Sequence, residues 1–166
     1  MVPFDLKGRS DYILKAIFVD ADGCMIDDGW ADKCFAEEGY DPYNYDEFNP
    51  RSLRLLARLV EETKAEVVFS SSWRFDELSF INAKEQFKEV GIHLYGYTTL
   101  DWHIGQTRSD EIALFLAEHP EITNYAILDD VEITNEILRA HWVKTTFKEG
   151  FTYNMFLRAK EILIKE

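Results

Sequence analysis

An apolar run that stops abruptly on two carboxylates constrains this chain more than any other feature. Ala16, Ile17, Phe18 and Val19 read as a strand buried on both faces, and Asp20-Ala21-Asp22-Gly23 follows without a break. Two carboxylates two residues apart at the end of a buried strand are costly to fold around unless something neutralises them. Gly23 permits a sharp turn after the second. In open α/β sheets the crevice at the carboxyl ends of the strands is where ligands bind, so the position suits a metal and an anion. A plain solvated turn is the alternative at this point.

The rest of the chain alternates strand-like and helix-like segments. After a first strand over Ile13 to Val19, Asn49-Pro50 reads as N-cap and first residue of a helix, with Leu53, Leu56, Ala57 and Val60 on its inner stripe. Glu66 to Phe69 is a short buried strand. Asp76 caps a helix whose apolar face is Phe80, Ala83, Phe87 and Val90, and Gly91 ends it. A third strand spans Ile92 to Tyr97. Thr107 with Asp110 starts a capped helix carrying Ile112, Phe115 and Leu116 inward. A fourth strand at Tyr125 to Leu128, a short helix around Glu132 to Arg139, a fifth strand near Trp142 to Thr145 and a helix over Thr152 to Lys165, with Met155, Ala159 and Ile162 inward, complete the pattern. It predicts a single α/β domain over residues 1–166, with a mostly parallel five-stranded sheet and helices on both faces as three layers.

Two stretches resist the alternation. Cys24 to Asn49 shows no clean periodicity and carries Trp30, Phe35, Tyr40, Tyr43, Tyr45 and Phe48, so it reads as an active-site flap or minimal cap. Thr98 to Thr107, with Trp102 and His103, is a second loop. Met1 to Tyr12 is a polar lead-in.

Composition narrows the partners. With 18 Lys and Arg against 31 Asp and Glu, the net charge of −13 repels polyanions and argues against non-specific nucleic-acid binding, while leaving room for a local pocket that reads one phosphate. No apolar run approaches the ~20 residues that span a bilayer, and the N-terminus has no signal-like core, so no membrane contact is expected. Cys24 and Cys34 fit no zinc pattern; a reducing, cytoplasmic location is the default, with a single disulfide between them as the alternative.

Three strands end in groups that handle a metal-bound phosphate: Asp20 and Asp22 after the first, Ser70 after the second, Asp129 and Asp130 after the fourth. Right-handed crossovers bring the carboxyl ends of parallel strands to one edge of the sheet. Carboxylates converging there repel one another by several kcal/mol in a low-dielectric cleft, and Mg²⁺ resolves the conflict because it prefers a few carboxylates together with water and phosphate oxygens.

In this arrangement the chain resembles the haloacid dehalogenase (HAD) superfamily of phosphohydrolases. Asp20-Ala21-Asp22 matches its first motif, Ser70 its second, Arg108 its third and Asp129-Asp130 its fourth. Asn49 to Arg74, with its Val-Val-Phe-Ser-Ser-Ser-Trp-Arg ending, and Thr107-Arg108-x-x-Glu111-Ile112 are similar to the small HAD domains grouped with the "Swiss Army Knife" RNA-repair proteins. Cys24 stands where Thr or Val is usual, and Arg108 replaces the commoner Lys. The resemblance implies a Rossmann-like HAD-type fold with a minimal cap and a Mg²⁺-dependent phosphatase working through an aspartyl-phosphate. Asp20 is then the nucleophile, and Asp22 protonates the leaving oxygen and later activates water. The metal is held by Asp20, the backbone carbonyl of Asp22, and Asp129, with Asp130 acting through water. Ser70 and Arg108 hold the phosphate oxygens, and Arg74 offers a second cationic contact or else an ion pair with the abundant carboxylates.

The expected substrate is a terminal nucleic-acid phosphate, a nucleotide or another small phosphate ester. A receiver-like signalling domain is the alternative from another class. It wants its acidic pair early, one acceptor Asp in the middle and a late Lys, an order this chain does not follow. A non-catalytic metal- or phosphate-binding module is the third reading, against which the intact Asp20/Asp22 pair speaks.

Overall fold

A computed structural model of the chain describes residues 13–37, 47–99 and 107–165. The polar lead-in, Tyr40, Tyr43, Tyr45, Trp102 and His103 lie outside the described residues. The elements run β1 Leu14–Val19, α1 Asp28–Ala36, α2 Pro50–Thr63, β2 Glu66–Phe69, α3 Glu77–Glu89, β3 Leu94–Tyr97, α4 Arg108–Glu118, β4 Ile122–Asp129, α5 Glu136–Arg139, β5 Trp142–Lys144 and α6 Tyr153–Ile164. The five strands form one sheet in the order β3-β2-β1-β4-β5, and every pairing is parallel.

Alternation along β1 divides the interior into two cores. Ile17 and Val19 pack with Leu53, Leu56 and Leu59 of α2, Phe87 of α3 and Phe156 of α6 on one face. Ala16 and Phe18 meet Ile112 and Phe115 of α4 and Leu138 of α5 on the other. Phe18 touches Phe115 and Tyr125 edge-on, with ring centroids 5.7 and 6.1 Å away. Full burial of each such side chain contributes ~1.5–3 kcal/mol. The chain therefore has three layers, with the central strand covered on both sides, as its unbroken apolar run requires.

The expected caps form. Asn49 accepts from Arg51 N with Pro50 in the first turn, Asp76 accepts from Ser79 N, and Thr107 and Asp110 make a reciprocal capping box. Cys24 and Cys34 are both free thiols, so the disulfide alternative does not hold. One reading needs correction. The stretch from Cys24 to Asn49, read as irregular, contains helix α1. That helix buries only Ala31 and Cys34, so its apolar periodicity is faint, and it is started by Asp27, whose carboxylate accepts from Trp30 N. Among the described residues no helix is long and apolar enough to cross a membrane.

Candidate active site

Backbone hydrogen bonds continue one residue past the strands and set the strand-end residues in a row. Asp20 N donates to Leu128 O at 3.1 Å, Ser70 N to Val19 O at 2.9 Å, Thr98 N to Phe69 O at 3.1 Å and Thr145 N to Asp129 O at 3.1 Å. Strand pairing thus places Ser70, Asp20 and Asp129 side by side on the carboxyl edge of the sheet. Just beyond Asp20 the chain doubles back, with Ala21 O accepting from Cys24, Met25 and Ile26 N and Gly23 N donating to Ile26 O.

Asp20, Asp129 and Asp130 converge, each offering a carboxylate oxygen within 4.8 Å of the others. Asp20 is 4% exposed and Asp129 fully buried. Arg108, the first residue of α4, reaches both: its Nε lies 3.1 Å from Asp129 Oδ2 and its Nη2 3.6 Å from Asp20 Oδ1. The helix that carries it is tied to the loop after Asp130 through Ser109, whose hydroxyl accepts from Thr134 N at 2.9 Å. One guanidinium does not balance three carboxylates. Burial, reinforced by Asp129 and only partly offset by Arg108, holds the Asp20 carboxyl well above the ordinary range. Burial likewise pushes Asp129 up to about 6 against the pull of Arg108.

A site so short of positive charge, built from hard oxygen donors, fits a small divalent cation. Among the described residues, the buried Ser70 hydroxyl and Arg108 Nη1 find no hydrogen-bond partner. A ligand with acceptor oxygens satisfies both, as a phosphate does.

Gly23 explains how Asp130 reaches the group. It sits at φ +75°, and a Cβ there would lie 2.7 Å from Asp130 Cγ and 2.8 Å from its Oδ2. Gly23→Ala strains the turn and displaces a carboxylate at once. If the three carboxylates seat a divalent cation, any activity that depends on it should fall about 10- to 100-fold with a raised metal requirement, the scale on which disturbed support of metal ligands acts. A Mg²⁺ titration of activity checks this, and an unchanged half-saturation point would remove Asp130 from the metal's surroundings.

Not every candidate joins the cluster. The Asp22 side chain stands apart from the three converging carboxylates, its Oδ2 accepting from the Trp73 indole at 2.9 Å, so of Asp22 only the backbone carbonyl stays a candidate metal donor. Arg74, offered as a second phosphate contact, braces the loop that carries Ser70. Its Nη1 donates to Ser70 O at 3.2 Å and Ser71 O at 2.5 Å, and its Nη2 lies 2.8 Å from Glu111 Oε2, close but poorly aligned for a hydrogen bond. With the Arg74 side chain 2% exposed, this is a buried ion pair that clamps the Ser70 loop onto α4, not the surface pair that was the alternative. His119 pairs with Glu121 and His141 with Tyr125 O, so neither serves the cluster.

Sequence reasoning passed over Trp73, which meets Asp22 across 51 residues, and Thr98, whose buried hydroxyl at the end of β3 has no partner among the described residues. Thr98 carries a faint signal, an oxygen-bearing residue directly after a strand, as at Ser70. Residues 16–156 match the family described as the HAD domain in Swiss Army Knife RNA repair proteins. No curated protein matches the chain.

Proposed function

The chain belongs to this family of HAD domains, and from that premise we propose that it is a Mg²⁺-dependent phosphatase that hydrolyses a phosphate monoester through an aspartyl-phosphate. The observation that carries the reading is the convergence of Asp20, Asp129 and Asp130 within 4.8 Å, with Arg108 inserted between two of them. Those acids serve two ends, holding a cation and presenting one of their number as a nucleophile.

An Asp20 oxygen attacks phosphorus, and the bond from phosphorus to the leaving oxygen breaks as Asp22 gives that oxygen its proton. Asp22, now a carboxylate, takes a proton from water. The water oxygen bonds to phosphorus and releases inorganic phosphate from Asp20. Ser70 Oγ and Arg108 Nη1, without partners among the described residues, hold the non-bridging oxygens throughout. Asp20, Asp129 and the Asp22 carbonyl, with Asp130 through water, would hold Mg²⁺, which would neutralise charge on the transferring group.

The substrate is a nucleotide or the phosphorylated end of a nucleic acid. The family's description points to RNA ends, while the charge of −13 opposes a long polyanion. Both hold when recognition stops at the terminal nucleotide, as a domain with only a minimal cap allows. Stacking of the terminal base contributes ~1–3 kcal/mol, and the rings the sequence offers for it, Tyr43 and Trp102, lie outside the described residues.

A Mg²⁺-supplemented screen of an aryl phosphate, nucleotides and 3′- and 5′-phosphorylated oligonucleotides tests the activity. Within it, a phosphorylated mono- or dinucleotide should be hydrolysed about as efficiently as a strand of roughly ten nucleotides, with little effect of salt, because few phosphates touch the protein. A strong preference for the longer strand that collapses with salt would reveal a basic track and reject the terminal-nucleotide reading.

A further inference from the structure

The indole of Trp73 has a place in the chemistry that its motif does not announce. It lies in a 3₁₀ turn over Ser72–Phe75, separated from Ser70 by Ser71 alone, and its Nε1 donates to Asp22 Oδ2 at 2.9 Å. The turn is fixed from several sides. Ser71 Oγ accepts from Trp73 N at 3.2 Å, and Arg74 binds the carbonyls of Ser70 and Ser71. The Trp73 ring rests on Phe48, with centroids 5.5 Å apart, and Phe48 N donates in turn to Gln86 Oε1 on α3 at 2.7 Å. A ring held this firmly presents its N–H in one direction.

We propose that Trp73 is a positioning residue that decides which oxygen of Asp22 carries the catalytic proton. The inference rests on the acid/base role of Asp22 in the proposed phosphatase. An indole N–H donates and never accepts, and the carbonyl oxygen of a protonated carboxyl accepts more strongly than its hydroxyl oxygen, so the indole favours Oδ2 as the carbonyl oxygen. The protonated form of Asp22 therefore carries its proton on Oδ1. From there the proton passes to the leaving oxygen as its bond to phosphorus breaks, and Oδ1 then takes a proton from the attacking water. A carboxylate torsion is broad and nearly two-fold by itself, so without the indole either oxygen is presented in either orientation. Among the described residues the indole is the hydrogen-bond partner of this carboxylate.

The experiment separates positioning from plain packing by the leaving group. An alkyl phosphate needs its leaving oxygen protonated, whereas 4-nitrophenyl phosphate releases a stable anion. Trp73→Phe keeps the ring on Phe48 and removes the N–H. It should lower kcat/KM for the alkyl ester about 10- to 100-fold, the scale of a lost hydrogen bond to a charged group, and change the aryl ester far less. Asp22→Asn should show the same selectivity more strongly, and adding Trp73→Phe to it should cost nothing further. Equal losses on both esters, or none, for Trp73→Phe alongside a selective Asp22→Asn would overturn the positioning role alone. An unselective Asp22→Asn would remove the acid/base reading, and this inference with it.

A second measurement covers poor folding of the Trp73 variant. In the nitrogen-15 spectrum of otherwise native protein, Asp22→Ala should shift the Trp73 indole resonance and speed its exchange with solvent. An indole signal that stays unchanged overturns the contact.

Discussion

Asp20→Asn is expected to stop turnover of phosphate monoesters, by on the order of 10⁴-fold or more, the scale on which loss of a nucleophile acts. The amide keeps the size of the carboxylate but does not attack phosphorus, so no covalent phosphoenzyme forms. The fold should survive and even gain. Asp20 is 4% exposed beside two other acids, and burial with Asp129 already disfavours its charged form. Neutralising it relieves repulsion in a place where water does little to screen it. The metal-free variant should therefore melt at or above the temperature of the native protein. Acid-quenched protein should carry label from a radioactive phosphate ester in the native case and none in the variant. Near-normal rates would move the nucleophile to another strand end.

The strand ends were legible because they combine two signals that seldom coincide by accident, a buried strand and a group that is costly to bury. Asp20, Ser70 and Asp129 each follow an apolar run, and parallel topology does the rest. The caps at Asn49, Asp76 and Thr107 were legible for a local reason, since each acts within three residues of itself. Helix α1 was not, because it buries two small or medium side chains and leaves Phe35 half exposed, so no apolar stripe marks it. The Trp73–Asp22 and Arg74–Glu111 contacts were hidden for a different reason. They join residues 51 and 37 positions apart, and only the order of strands in the sheet brings them within reach. Sequence pattern reports what a residue needs, such as a partner for Arg74, more readily than which residue meets the need.

Metal removal should abolish activity, and the same carboxylates should make the metal visible in stability alone. The Asp129 carboxyl is raised to about 6, and Asp20 is raised in the same sense. Between about pH 4, where these groups ionise in the unfolded chain, and their raised folded values, the folded state binds more protons than the unfolded state. Their contribution is therefore present in full below about pH 4; the share of Asp129 is lost as pH rises through about 6 and that of Asp20 in the same direction, leaving the metal-free protein less stable at neutral pH. Mg²⁺ competes with those protons and supplies the missing charge, so its stabilisation should grow across the same window. Melting curves in chelator at about pH 5 and 7.5, repeated with Mg²⁺, measure both slopes. Asp129→Asn should flatten the metal-free slope and remove most of the Mg²⁺-induced increase. Ca²⁺, larger and less strict in its geometry, should stabilise the protein yet support turnover poorly, because catalysis demands a tighter arrangement of oxygens than binding does. Full phosphatase activity in chelator-treated protein would reject the metal. A stability gain from Mg²⁺ that is indifferent to pH would place the ion away from Asp20 and Asp129, since any cation seated among those carboxylates has to displace the protons that burial keeps on them.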